Sequence, residues 1–276
     1  MTQPREVHLH DPQTLYRHWE GEQWNPWDLD LATDCEQWAA MTDRSLVSFL
    51  LASLMVAEER ITTKFCGLVA AQDSEEEATF LATQQVDEAR HMQFYARFSD
   101  EVVAEPALIS AHVKRARKHV SPAFRTIFDE RLVAANERLL ADPRDVAAKV
   151  AFVTIYHQII EATLGLTTYE FSTRFLRREG LLPGFVAGYD KIHHDEQRHI
   201  GYGTWFLREA VAERPEMADV VRAALAELLP AVAQSLTLPA GTDANVLGAS
   251  AEDLRAFALG GLTRRLKLIG VSLDPA

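Results

Sequence analysis

Two short stretches repeat one pattern of side chains that can hold a metal: Asp87-Glu88-Ala89-Arg90-His91 and Asp195-Glu196-Gln197-Arg198-His199. On a helix, residues three apart share a face, so each stretch turns one carboxylate and one imidazole in the same direction. Glutamate oxygen with histidine nitrogen suits a borderline divalent metal such as iron or manganese. In a chain with 10 His and 40 acidic residues a single Glu-x-x-His arises by chance, whereas two copies with matched flanks carry weight. Partner carboxylates stand upstream of both. Glu58 precedes Glu88 by 30 residues, and Glu161 precedes Glu196 by 35.

The elements that must position these groups follow from the same spacing. The midpoint of the first pair is residue 73, in Gln72-Asp73-Ser74, a turn and helix-start signal. The midpoint of the second falls between Arg178 and Glu179, beside Gly180, a helix-stop signal. A helix hairpin folded at its midpoint brings equidistant residues level, since each residue rises about 1.5 Å. Each hairpin thus sets one Glu level with one Glu-x-x-His, and two hairpins supply four carboxylates and two histidines. That set is the ligand inventory of a dinuclear carboxylate site in a ferritin-like four-helix bundle. The expected fold is all-α and a single domain over 1–276, with metal-bearing helices near 43–71, 73–103, 144–178 and 183–213. Two linking helices are expected near 106–119 and 122–141. Two more, near 216–236 and 250–268, are separated by the loop Pro239-Ala240-Gly241-Thr242-Asp243. Alternating β patterns are absent. Residues 1–33, polar and Trp-rich, read as an extended arm over the domain. Trp24, Trp27 and Trp38 are expected to dock on the core, with an electron relay toward the metals as the alternative.

Composition narrows the function classes. A net charge of −12 argues against nucleic acid as a partner. Two cysteines, Cys35 and Cys66, make no disulfide framework, which suits a reducing cytoplasm; Cys66 is expected to be a buried structural thiol. The opening Met1-Thr2-Gln3-Pro4-Arg5-Glu6 lacks an apolar signal core. The longest apolar stretch, Leu46 to Ala57, is too short to span a membrane. The basic run Lys114, Arg115, Arg117 and Lys118 reads as a solvated face or subunit contact. His157, His193 and His194 read as surface residues or supports of the ligands.

In this order, the carboxylates and histidines resemble the small-subunit superfamily of ribonucleotide reductase, and within it the ligand-binding oxidases that hold a mixed manganese–iron site. Three stretches carry the resemblance: Trp24-Asn25-Pro26-x-Asp28-x-Asp30, Tyr156-x-x-x-x-Glu161, and Asp195-Glu196-x-Arg198-His199 followed by Gly203-Thr204. The resemblance implies that Glu58, Glu88 and His91 hold a first metal, manganese, and that Glu161, Glu196 and His199 hold a second, iron; two irons are the alternative. It implies that Glu88 and Glu196 bridge, that Asp195 orients a ligand histidine, and that Glu58 rather than Glu59 is the ligand. Reduced metals in such a shell give electrons to dioxygen. The resembling oxidases cross-link the tyrosine to a valine on the first helix through an ether, and hold a long-chain fatty acid at the metals. A homodimer is expected by the same analogy.

The chain departs from that pattern in two places. Ile61 stands where the cross-linked valine is expected, three after Glu58, and it too has a tertiary Cβ–H. Tyr95, four after His91, matches the radical tyrosine of reductase small subunits, so a radical-generating subunit is the second reading; a non-catalytic metal-binding bundle is the third. Gly165 stands where reductase subunits carry a bulky aromatic. With Ala162 and Thr168 it leaves room for a chain-like ligand beside the second metal, unless the glycine serves close helix packing. The end, Gly270 to Ala276, lacks the long acidic tail by which a reductase small subunit reaches its partner. At about 100° per residue, Tyr156 is offset by about 140° from Glu161 and faces the neighbouring first helix.

Overall fold

Apolar residues recurring at helical spacing, with Pro, Gly and Ser at the breaks, produce eleven helices among the described residues, 9–237 and 247–273 of a computed structural model. The expected loop 239–243 and the opening segment 1–8 lie outside them. In chain order the helices are α1 (Pro12–Gly21), α2 (Ala32–Ala40), α3 (Ser45–Lys64), α4 (Cys66–Ala70), α5 (Glu75–Glu101), α6 (Ile109–Ala116), α7 (122–141), α8 (Val146–Glu179), α9 (Pro183–Glu213), α10 (Met217–Ser235) and α11 (Ala251–Ile269). The bundle is ferritin-like, with α3, α5, α8 and α9 carrying the six expected ligand side chains.

Both hairpin turns fall where the equidistance argument places them. Ser74 caps α5 by accepting from the Glu77 N–H, and Glu75, Glu76 and Glu77 fill the positive first turn. Gly180 ends α8 in the left-handed region at φ 63°, and Pro183 starts α9.

Other elements differ from expectation. The N-terminal stretch is not extended. Asp11 caps α1 with Pro12 at its first position, and α1 lies against α5. Trp38 docks in the core as expected, but Trp27 is 58% exposed. The first bundle helix breaks at Phe65, where the Asn136 side chain takes the Gly67 N–H at 2.9 Å. The break buries Phe65 and Leu68 and turns Cys66 outward, so this thiol is exposed rather than buried. Arg117 of the basic run is not merely solvated, since it pairs with Glu59 and Asp129 and ties α3 to α7. Among the described residues α8, not Leu46–Ala57, is the helix long and apolar enough to cross a membrane, yet 83% of its apolar window is buried inside the bundle.

Most of the core lies in two large apolar clusters, with two small ones beside them around Phe171 and Val56. One large cluster gathers Phe65, Phe80, Phe152, Tyr156 and Tyr202, and the other Met55, Phe94, Tyr95, Phe98 and Phe185. Along α3, α5 and α9 the change from one cluster to the other falls at Glu58, Glu88–His91 and Glu196–His199. A charged layer thus sits between two dry ones. Each buried aromatic contributes roughly 1.5–3 kcal/mol, which holds the four helices in register around groups that are costly to bury.

Candidate metal centre

The six expected side chains meet in the charged layer as two overlapping groups, Glu58, Glu88, His91 and Glu196, and Glu88, Glu161, Glu196 and His199. Within each group the ligand atoms lie within 4.8 Å of one another. His91 Nδ1 is 3.7 Å from Glu58 Oε2, 3.5 Å from Glu88 Oε2 and 3.6 Å from Glu196 Oε1. His199 Nδ1 is 3.3 Å from both Glu88 Oε1 and Glu161 Oε1, and 3.5 Å from Glu196 Oε2. Glu88 and Glu196 each direct one oxygen to either histidine, the disposition of bridging carboxylates. Glu59, the neighbour that spacing alone could not exclude, turns away to Arg117.

The donor set fits a pair of cations. Glu58 Oε2, Glu88 Oε2, His91 Nδ1, Glu161 Oε2, Glu196 Oε2 and His199 Nδ1 are all buried without a hydrogen-bond partner. So many orphaned polar atoms at one point would be prohibitive in a structural core, and a pair of metals would satisfy them together. Burial raises Glu58, Glu161 and Glu196 above the usual carboxylate range. Burial would raise Glu88 as well, but His199 and His91 hold it well below. Burial would lower both histidines, yet Asp195 with Glu58, and Asp87 with Glu161, hold them well above their ordinary value. In the metal-free protein the imidazoles therefore carry the protons that a metal displaces.

Behind each imidazole the two repeats cross. Asp195 Oδ2 is 3.1 Å from His91 Nε2, and Asp87 Oδ2 is 3.2 Å from His199 Nε2. Each aspartate thus orients the histidine of the other repeat, fixing its ring and leaving Nδ1 for the metal. Asp195 has the orienting role expected of it, whereas Asp87 went unassigned, although its place in the repeated motif marks it. Two indoles complete the layer: Trp19 Nε1 donates to Asp87 at 2.8 Å, and Trp24 Nε1 to Asp195 at 2.7 Å. Trp19 had no distinguishing sequence signal. Arg198 spans both aspartates and reaches Glu22.

Tyr156 lies closer to the centre than an α-helix allows. Residues Thr154–Gly165 of α8 are π-helical, with i→i+5 bonding, so residues five apart fall on one face. Instead of a 140° offset, Tyr156 and Glu161 share a face. The phenol donates to Glu88 Oε1, and Gln84 Nε2 reaches both the phenol oxygen, at 3.1 Å, and Glu161, at 3.2 Å. Burial and the neighbouring Glu161 and Glu88 keep the phenol protonated. His157 is fully buried against Gln84 rather than on the surface, and burial pushes it down to the neutral form. His194 is exposed, 3.0 Å from Glu22. Tyr95 is buried in the second cluster with no partner for its hydroxyl.

A cavity of about 160 Å³ opens beside Glu58, Glu161 and Glu196, walled by Ile61, Gly165, Thr168 and apolar side chains of α3, α7 and α9. His193 is part of this wall, stacked on Tyr169 with ring centroids 3.8 Å apart. A Cβ at Gly165 would meet only Ile160 O, at 3.4 Å, so close packing on a neighbouring helix does not account for the glycine. Ala162, expected beside the ligand, is buried but does not line the cavity, because the π-helical turn takes it off that face.

Fold and site together define a dinuclear carboxylate centre in a ferritin-like bundle, the class of oxidoreductases that use dioxygen. The sequence model described as "Ribonucleotide reductase, small chain" matches residues 5–272, and the chain belongs to that family. Among similar solved structures is a single-residue variant of an R2-like ligand-binding oxidase with anaerobically reconstituted Mn/Fe cofactor: 26% identical, 96% of this chain and 95% of that one covered, TM-score 0.80. Another variant of such an oxidase, with aerobically reconstituted Mn/Fe cofactor, is 25% identical over 96% of this chain and 94% of that one, TM-score 0.82.

Proposed function

We propose that this protein is a ligand-binding oxidase of the Mn/Fe type, in which Glu58, Glu88 and His91 hold one metal, Glu161, Glu196 and His199 the other, and Glu88 and Glu196 bridge. When bound, the two metals supply the electrons that reduce dioxygen and the oxidising power for breaking a C–H bond. The chain's residues do the rest. Asp87 and Asp195 fix the imidazoles, the two apolar clusters exclude water, and Glu88 stands ready to take the Tyr156 proton. The observation that carries the ligand-binding half is the cavity, whose apolar wall ends on three ligand carboxylates. A second apolar chamber of about 90 Å³ shares Phe49, Leu50, Thr168, Ser235 and Leu236 with it, which suits an extended aliphatic chain such as a long-chain fatty acid. Organic extraction of the purified protein should recover an aliphatic acid from wild type and little from Gly165→Phe. Equal recovery from both would place the ligand elsewhere.

An ether between Tyr156 and Ile61 belongs to the same reading. The two residues sit in one packed cluster, and Ile61 also faces the cavity. The phenol O–H and the Ile61 Cβ–H each lose a hydrogen, an O–C bond forms, and two electrons with two protons pass to dioxygen. The second reading, a radical-generating reductase subunit, rests on Tyr95, whose buried hydroxyl has no partner. A stable radical lost in Tyr95→Phe would decide for it.

A further inference from the structure

Arg265 of α11 is half-buried yet forms no ion pair among the described residues. Burial pushes its guanidinium down to about 10, so it stays charged at neutral pH. Such a cation needs polar company, and it finds it on one segment only. Its Nε donates to Gln158 Oε1 at 3.2 Å, and its Nη2 to Thr163 Oγ1 at 3.2 Å. These two residues bracket Glu161 inside the π-helical stretch. Thr163 Oγ1 in turn donates to Gln158 O at 2.6 Å, and Gln158 Nε2 donates to Thr204 of α9 at 3.2 Å. One guanidinium therefore pins positions five apart, a π-helical turn, and connects them to the helix carrying Glu196 and His199.

A π-helical turn is a rare, strained alternative to α-helical bonding, found at functional sites where something holds it. Slippage of one residue would rotate the chain beyond it by about 100° and take the Glu161 carboxylate off the face it shares with Tyr156. The first group of ligands has no member on α8.

We propose that Arg265 is a positioning residue for the second metal. By clamping Gln158 and Thr163 it holds the π-helical register that aims Glu161, and the first metal does not depend on it. The inference rests on the dinuclear reading above, and the experiment separates the two. Wild type, Arg265→Met, Arg265→Lys, Thr163→Val and Leu262→Ala are loaded anaerobically with Mn(II) and Fe(II). Metal per chain is measured by elemental analysis, thermal melting is followed in parallel, and amide exchange is followed over 158–165. Leu262, three residues before Arg265 on the same helix, is fully buried in the large apolar cluster and carries no polar group for the clamp, so it reports on α11 docking.

Arg265→Met should fall from two metals to one, with at least tenfold weaker second binding and faster exchange over 158–165. Thr163→Val and Arg265→Lys, each retaining part of the clamp, should fall between it and wild type. Leu262→Ala should melt lower and keep both metals. Two tightly held metals in Arg265→Met would overturn the proposal, as would loss of the second metal in Leu262→Ala to the same degree. Fewer than two metals in wild type would instead count against the dinuclear reading.

Discussion

Asp195 stands next to Glu196 in sequence yet touches the histidine of the other repeat, and this crossing can be tested. Asp195→Asn keeps the side-chain shape and an acceptor oxygen but removes the charge that polarises His91 and pairs with Arg198. The carboxylate is held well below its ordinary range, against burial, by His91 and then Arg198, so its charge is fully developed at neutral pH. Removing a carboxylate that orients a metal-bound histidine weakens metal binding about 10–100-fold, roughly 1.4–2.7 kcal/mol. Arg198 keeps Asp87 and Glu22, so the fold survives. The assay uses His199→Ala as background, which leaves only the first site to fill. There Asp195→Asn should strip the remaining metal by that factor in an anaerobic titration, and Asp87→Asn should leave it in place. In a His91→Ala background the two roles should exchange. The opposite assignment, each aspartate serving its own repeat, would refute the crossed geometry.

Other expectations follow from the same geometry. His91 and His199, the proposed metal-binding histidines, are held above their ordinary range in the metal-free protein and would have to shed a proton to bind, so apparent metal affinity should rise with pH through the neutral range, with proton release measurable by calorimetry in two buffers; a pH-independent affinity would contradict it. A Cβ at Gly67 would lie 2.5 Å from Asn136 Oδ1, so Gly67→Ala should destabilise by about 1–3 kcal/mol in urea unfolding. Gly165→Ala, which meets nothing closer than 3.4 Å, should leave stability unchanged or slightly raised. After oxygen exposure of the reduced, metal-loaded protein, peptide mass spectrometry should find the Tyr156 and Ile61 peptides joined with two hydrogens lost. Tyr156→Phe should remove that product and Tyr95→Phe should retain it.

The six side chains gathered at the centre were legible because their signal is geometric twice over. A spacing of three puts Glu and His on one face, and equal distances from a turn put the pairs level. Glu58 over Glu59 was not settled by spacing, and only packing turns one inward and the other to Arg117. The π-helical stretch was invisible, since i→i+5 bonding leaves no mark in the apolar pattern of Thr154–Gly165, and the angle assigned to Tyr156 failed for that reason. The missed helix α1 did carry a signal, Asp11 before Pro12, outweighed by the polar and Pro-rich surroundings. Cys66 was misplaced because the break at Phe65 depends on Asn136, 70 residues away in sequence.

The crossed layer has a consequence for how the molecule comes apart. The first candidate metal shell takes Glu58, Glu88 and His91 from the half before residue 142 and Glu196, backed by Asp195, from the half after it. The second reverses the shares. Neither half contains a complete site, so bound ions would act as a clasp closed across the long connection through α6 and α7. Binding stabilises by RT ln(1 + [L]/Kd), and that free energy belongs to the join between halves rather than to either one. Chelation should accordingly make the two hairpins separable units in native-state hydrogen exchange, and metal should fuse them into one.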